Sequence, residues 1–312
     1  MIKNLYQSQV NNRIAVILFL IISSGSLMAC TLSENTAQQS SPGQQNQPEF
    51  NRFLSSISLP AELSFCGERV PLEIPEVRER AEREFYLNLQ SPGQIILYLK
   101  RAGRYFPVFE KILKEEKAPD DLKFLAVAES ALYMARSTKD AVGIWQFMPS
   151  TAKAMGLIVD EYVDERRHVE KSTHAAIQYL RSGYNAHKSW TLAAAGYNMG
   201  QENVRDNTDF QQKNSFYDLY LNEETSRYIL RIAIVKEIMM NPARYGFTLQ
   251  DKDLYKPEPQ KFIRWEQAIP DLAAWAKEQG TTYKDIKLLN PWILKRSLHA
   301  PRHGAWFITV PG

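Results

Sequence analysis

From about Val77 onward, apolar side chains return every three or four positions, the spacing of one face of a helix. Phe85, Leu87 and Leu89 stand among alternating Arg and Glu in a first helix. Ser91-Pro92 reads as a cap and the first residue of a second, whose apolar positions run through Ile95, Ile96, Leu99, Phe106, Phe109, Ile112 and Leu113. Pro107 lies inside that run and predicts a kink or a break. Pro119-Asp120-Asp121 opens another helix through Leu122, Leu125, Ala126 and Ala128, and Pro149-Ser150-Thr151 opens the next, ended by Gly156. Helical spacing then covers 170–184, 190–197 and 223–240, closed by Pro242. No alternation of the strand kind occurs between about 77 and 241, so this stretch predicts a compact all-α domain. The texture changes after Asp251–Pro259, a charged stretch with two prolines that reads as a linker. Phe262–Trp265 and Trp306–Val310 have the character of strands. Leu272–Gln279 and Tyr283–Leu289 have that of short helices, which together predict a small α+β module.

The first thirty residues are of another kind. Lys3 and Arg13 are the only charges, and Ile14–Ile22 is an unbroken apolar run of about nine, the length of a signal-peptide core. A membrane-spanning helix needs about 20 such residues. Small residues follow, then Leu27-Met28-Ala29-Cys30, which resembles the lipobox of bacterial lipoproteins, whose Cys is lipidated and becomes the new N-terminus. An uncleaved anchor with Cys30 incidental is the other reading. Thr31 to Pro48, rich in Gln, Ser and Asn, has too little apolar surface to fold and reads as a tether. Thr31 rather than Asp after the lipid Cys points, by analogy with lipoprotein sorting, to the outer membrane facing the periplasm. The chain thus divides into a signal peptide 1–29, a disordered tether 30–50, an N-terminal bracing segment 51–91, a helical domain 92–250 and a module 260–312.

Composition narrows the chemistry. The chain has 312 residues, 44% hydrophobic and 23% charged, with a net charge of +3, too balanced to hold nucleic acid by bulk charge. Two cysteines cannot build a disulfide framework, and Cys66 reads as a small buried hydrophobe. The five histidines show no ligand spacing and no glycine-rich phosphate loop is present, so neither metal nor cofactor is expected.

One carboxylate stands out. Glu129 ends the run Phe124-Leu125-Ala126-Val127-Ala128, where poor solvation raises a carboxyl pKa and suits it to act as a general acid on a glycosidic oxygen. A lone Glu at a helix end is also a common surface group. Glu129-Ser130 and three segments after it make four motifs in order: Gly143-Ile144-Trp145-Gln146-Phe147-Met148-Pro149-Ser150-Thr151, Ala195-Gly196-Tyr197-Asn198, and Glu224-Thr225-Ser226-Arg227-Tyr228, with Ser137 between the first two. In order and spacing these resemble the motifs of the goose-type-lysozyme-like lytic transglycosylases, over about Leu97 to Gly246. The runs Asp164–Arg167 and Lys171–Thr173 look like its membrane-bound branch.

The resemblance implies a mainly α, lysozyme-like catalytic domain that cleaves peptidoglycan glycan strands without a cofactor. Glu129 is implied as acid and then base. Ser137 and Gln146 are implied to hydrogen-bond the sugar, Met148 to line the cleft floor, and Tyr197 to aim its hydroxyl toward the reacting centre. Asn198 is implied to hold that geometry, and Glu224 to sit deep in the cleft. Met148 also reads as core filler, Trp145 as packing rather than a sugar platform, and Asp164–Arg167 as a structural ion-pair cluster. Gly196 stands where the family has Ala, which costs helix stability of about 1 kcal/mol and either loosens that helix or lets substrate approach closely. The tail resembles a degenerate LysM repeat through Asp271-Leu272, Leu289-Asn290-Pro291 and Ile308-Thr309-Val310-Pro311, without the usual Gly-Asp before the first helix. It is read either as a glycan binder or as a packing module. Rival functions are a lysozyme-type hydrolase, which needs a second carboxylate such as Asp140, Asp160 or Asp164, and a non-catalytic wall-binding lipoprotein.

Overall fold

The computed structural model describes residues 47–312. The signal peptide 1–29, Cys30 and most of the tether lie outside the described residues. The helix α1 (Gln47–Ser56) starts inside the stretch read as tether, because Phe53 and Leu54 give it an apolar side, and Leu54 packs against the core beside it. A two-stranded hairpin follows, β1 (Ser64–Phe65) and β2 (Glu68–Arg69), turned by Cys66 and Gly67 at φ 51° and 80°. Two successive positive φ values are what a tight hairpin turn requires. Cys66 is half-buried against the main core rather than buried, and desolvation pushes its thiol well up, so it stays neutral.

Two helices come next, α2 (Pro75–Leu89) and α3 (Pro92–Glu115), each opened by a proline in its first turn, where the missing N–H costs nothing. Pro107 does not split α3, which runs on to Glu115. The linker read over Asp251–Pro259 is pinned to α3: Tyr255 N–H donates to Lys100 O at 2.9 Å, and Leu254 Cβ lies 2.9 Å from where a side chain at Gly103 would begin.

The domain then continues through α4 (Lys123–Ser130), α5 (Pro149–Ala154), α6 (Val169–His187), α7 (Trp190–Met199), α8 (Gln201–Gln211) and α9 (Glu223–Met240). The helix α8 has no counterpart in the apolar spacing, since only Val204 and Thr208 of its eleven residues are buried. Between 77 and 241 the described residues hold isolated β-bridges and no longer strand.

Two helices are central, one apolar nearly all round and one buried on two sides. Thr191 to Gly196 of α7 are all buried. The helix α9 is buried on two sides: Tyr228, Ile229, Ile232 and Val235 enter the main core with α3, α4, α6 and α7, while Leu230, Ala233, Ile234 and Ile238 enter a second core with α2 and the hairpin segment.

The C-terminal module consists of β3 (Gln260–Trp265), α10 (Leu272–Glu278), α11 (Tyr283–Leu289) and β4 (Trp306–Pro311). The strands β3 and β4 pair antiparallel from Gln260 with Pro311 to Trp265 with Trp306. Asn290, fully buried, stitches α11 to β4 by donating to Thr309 O at 2.7 Å and accepting from Thr309 N–H at 2.8 Å. Val163 of the helical domain inserts into the module's own core, and Val163 and Ile293 form a β-bridge.

Candidate active site

The site begins with α4. Its residues from Lys123 to Val127 are buried, and its last turn, half-buried, holds Glu129 where the core meets solvent. The helix stops sharply because Ala131 and Leu132 both take left-handed conformations, at φ 56° each. The Ser130 hydroxyl, one residue on, lies 2.7 Å from Ile144 O and 3.2 Å from Ala126 O. It ties the end of α4 to the Gly143 loop.

Burial holds the Glu129 carboxyl at about 7, far above the ordinary carboxylate range. The Tyr228 hydroxyl, which donates to Glu129 Oε1, and the charge of Arg231 pull it down; Glu224 pushes it up. Burial wins over both groups that favour the anion. Near neutral pH the acid is thus poised between its two forms, the condition for giving a proton and taking one back.

The Gly143 loop is fixed by a buried arginine. Arg166 grips Asp164 through Nε and Nη2 at 2.8 and 2.9 Å, and its Nη1 donates to Asp140 O at 2.7 Å and Phe147 O at 3.1 Å. The loop lies so close that a Cβ on Gly143 would meet Arg166 O at 2.0 Å, at φ 90°. The run Asp164–Arg167 is therefore structural, as read. Trp145 is fully buried, donates from Nε1 to Thr173 Oγ1 at 2.9 Å and packs on Phe109, so the packing reading holds.

The implied site residues fall into two groups. Glu129, Tyr197, Asn198 and Glu224 are brought together, and Gln146 adjoins them through Trp145, whose carbonyl accepts from Tyr197. Tyr197 feels the charge of Glu129, but its hydroxyl donates to Trp145 O at 2.7 Å rather than to the acid. Gln146 stands next to Trp145 at φ 51° and is oriented by Nε2 donating to Gly143 O at 2.7 Å, which leaves Oε1 available. Asn198 accepts from Thr225 Oγ1 at 2.7 Å and lies 3.4 Å from Glu224 Oε1. Glu224 is exposed in the first turn of α9, not deep as expected, because that turn is the solvent end of the helix.

Ser137 and Met148 form the second group, with no hydrogen bond to the cluster. Ser137 is exposed in a turn, where its Oγ accepts from Ala141 N–H at 3.0 Å and Lys139 N–H at 3.2 Å, and its own proton remains to donate. Met148 is 42% exposed just before α5, which excludes core filling.

Tyr228 is the group the spacing did not assign, although it ends the fourth motif. Its signal was available: Glu224, Tyr228 and Arg231 share one face of α9 at helical spacing. Gly196 serves neither a loose helix nor substrate approach. The Gln201 side chain fills the space, with Oε1 2.1 Å from where a Cβ would stand, and the same amide lies against Gly183. The three aspartates considered as second carboxylates are occupied: Asp140 by Arg136, Asp164 by Arg166, and Asp160 by the N–H groups of Tyr162 and Val163. Among the described residues no cluster of three His, Cys, Asp or Glu suits a metal ion.

Comparison with known proteins agrees with this geometry. Residues 106–219 match the family described as Transglycosylase SLT domain. The chain carries a transglycosylase SLT domain. Residues 263–312 match the soluble lytic transglycosylase C-terminal LysM-like domain. The chain is 28% identical over 311 residues, 94% of its length and 67% of the relative's, to membrane-bound lytic murein transglycosylase D of Escherichia coli strain K12. The protein of the same description from strain O6:H1 gives the same values. The SLT match holds Glu129, Ser137, Gln146, Met148, Tyr197 and Asn198. It ends before α9, so Tyr228, Arg231 and Glu224 come from outside the matched residues.

Proposed function

We propose that the protein is a lytic transglycosylase of peptidoglycan that cleaves the β-1,4 bond between N-acetylmuramic acid and N-acetylglucosamine and leaves 1,6-anhydromuramyl ends. The observation that carries this reading is a half-buried carboxyl, Glu129, held at about 7 at the end of an apolar helix of an SLT domain. Glu129 first protonates the glycosidic oxygen, and the bond from that oxygen to the anomeric carbon breaks. The substrate's N-acetyl group stabilises the cationic sugar, as in substrate-assisted glycosidases. The carboxylate then takes the proton of the muramyl C6 hydroxyl, whose oxygen bonds to the anomeric carbon. The proton balance closes on Glu129 and no water is consumed. The nucleophile belongs to the same sugar, so its proximity replaces a bimolecular encounter. Gln146 Oε1 and the Ser137 hydroxyl are the free polar groups offered to the sugar, with Met148 as an apolar contact and Asn198 holding α7 to α9.

The test is digestion of purified peptidoglycan with products read by mass spectrometry. Anhydromuramyl ends are expected from the wild type, and Glu129→Gln is expected to reduce them by about a hundredfold or more, the scale of general acid catalysis. Ordinary reducing ends would overturn the transglycosylase reading and favour a hydrolase with Glu224 as the second carboxylate. As a general acid, Glu129 must be protonated, so kcat/KM should fall as pH rises through about 7. The same proposal puts a lipid on Cys30 and the protein in the cell envelope, at the outer membrane facing the periplasm. Loss of fatty-acid labelling in Cys30→Ala checks it.

A further inference from the structure

Glu84 breaks the pattern of α2. Val77, Ala81, Glu84 and Phe85 form one buried face of that helix, and Glu84 is 3% exposed where an apolar residue is the norm. Its carboxylate faces α9. Oε2 accepts from Arg231 Nε at 3.1 Å, and Oε1 lies 3.2 Å from Arg227 Nη1 and 3.5 Å from Arg83 Nη1. Arg227 and Arg231 are one turn apart on α9 and flank Tyr228, the residue that donates to Glu129.

This arrangement solves a problem of charge. Arg231 acts on Glu129 from the face of α9 that also carries Tyr228. Its guanidinium is bound to Glu84, and its charge also reaches Glu129. An arginine paired directly with Glu129 would fix it as a carboxylate, useless for giving a proton. We propose that Glu84 is a positioning residue of the reaction: it is the counter-ion that keeps Arg231 turned toward α2, leaving Tyr228 as the group that meets Glu129. Glu84 touches no substrate and lies outside the residues that match the SLT domain. The helix α2 of the bracing segment is thereby part of the catalytic apparatus.

The inference rests on the reading of Glu129 as the acid, and the test separates the two. The groups facing Glu129 are Tyr228, Tyr197, Glu224 and Arg231; those around the arginines are Glu84, Arg83, Glu223 and Tyr98. The measurement is the pH dependence of kcat/KM for peptidoglycan cleavage by the full chain. In Glu84→Gln, Arg231 is released to Glu129, and an opposite charge within reach lowers a carboxyl by about one unit or more. The alkaline limb should therefore move to lower pH by about one unit, with activity at pH 7.5 falling several-fold. In Arg231→Gln the limb should move the other way. The double variant Glu84→Gln with Arg231→Gln should return the limb close to the wild-type position while its melting temperature stays low.

A purely structural Glu84 would lower the melting temperature and leave the limb where it was; that result overturns the proposal. If Glu84→Gln does not fold, Arg231→Gln decides alone: an upward limb supports the proposal, and an unmoved or lower one overturns it. Glu129→Gln is measured beside them. If it stays active, the reading of Glu129 as the acid fails, and this outcome is distinct from an unmoved limb over an inactive Glu129→Gln.

Discussion

The helical domain is held from two sides, by the segment before it and by the module after it, and the two grips differ in kind. The N-terminal segment reaches in with side-chain carboxylates and backbone N–H groups, and each contact lands on an element of the site. Glu68 accepts from Ser189 Oγ, from Trp190 N–H, and from the N–H and hydroxyl of Thr191, capping the helix that carries Tyr197 and Asn198. Cys66 N–H donates to Asp121 Oδ2 at 2.7 Å, in the turn that leads into α4, and Lys236 of α9 shares that oxygen at 2.6 Å. Glu84 holds α9 itself. The C-terminal module pairs backbone with backbone, with Lys295 and His299 set against Glu161 and Asp160 at the rim. Asp164 N–H donates to Trp292 O at 2.9 Å, Leu294 N–H donates to Tyr162 O at 2.8 Å, and Val163 is buried among the module's aromatics. None of these contacts involves α4, α7 or α9. One flank is built into the chemistry, and the other is docked beside it. A family match alone would put the catalytic unit within 106–219, whereas hydrogen bonds extend it back to the hairpin and forward into α9.

This contrast can be broken. The largest effect should come from Glu68→Ala, which leaves a helix N-terminus, two hydroxyls and two N–H groups without their shared acceptor. A cost of about 3 kcal/mol in urea unfolding is expected, with cleavage activity falling at the same time, because Tyr197 moves with α7. Stability lost at unchanged activity would erase the distinction between the flanks.

A comparable magnitude with the opposite sign should come from Glu129→Gln. The folded carboxyl, at about 7, lies above its unfolded value, so the native state binds more protons between about pH 4.5 and 7. Stability from this group is therefore complete below about pH 4.5 and is lost as pH rises through 7, by roughly 3 kcal/mol. Removing the charge should raise the melting temperature at pH 8 and leave it unchanged near pH 4. A gain at both pH values would mean that packing, not ionisation, was relieved.

The smallest effect should come from Val163→Ala. It empties part of the module's core for about 2 kcal/mol and should raise proteolysis of the module while cleavage stays within about twofold of wild type. A larger loss of activity would show that the second flank also reaches the chemistry.

Much of this was legible in the sequence. The helices α2 to α7 and α9, and the four elements of the module, follow from apolar spacing and from prolines at helix starts, since burial of one stripe dictates both. The helix α8 was not legible, because it buries two side chains and is held by its ends. Nor was the helical start at Gln47, where Phe50, Phe53 and Leu54 suffice once a neighbouring core is present. In the site, Glu129 was legible from the apolar run before it only together with the motifs that follow. The partner of Tyr197 was not: its hydroxyl goes to a backbone carbonyl, and carbonyls have no sequence signature. Glu224 was placed too deep, because the motif locates it on a helix but not at which end solvent lies. The pattern did hold a sign of the brace in Glu84 itself, a charge on an apolar stripe, which asks for a cation that only the fold can name.

The place of Glu129 within its own helix has one more consequence. It is the next-to-last residue of α4, where unpaired carbonyls point out of the helix end. Aligned peptide dipoles give that end a partial negative charge of about half an electron, which repels an anion and does so whatever side chains surround it. The backbone's direction thus works with burial to keep the proton on. A chain entering the site from the opposite direction, with every side chain preserved, would present the same glutamate at a positive helix end, where the anion is favoured and the proton is lost at lower pH. Part of the carboxyl's hold on its proton is therefore a property of topology, carried by the direction of the peptide rather than by any residue that mutation can remove.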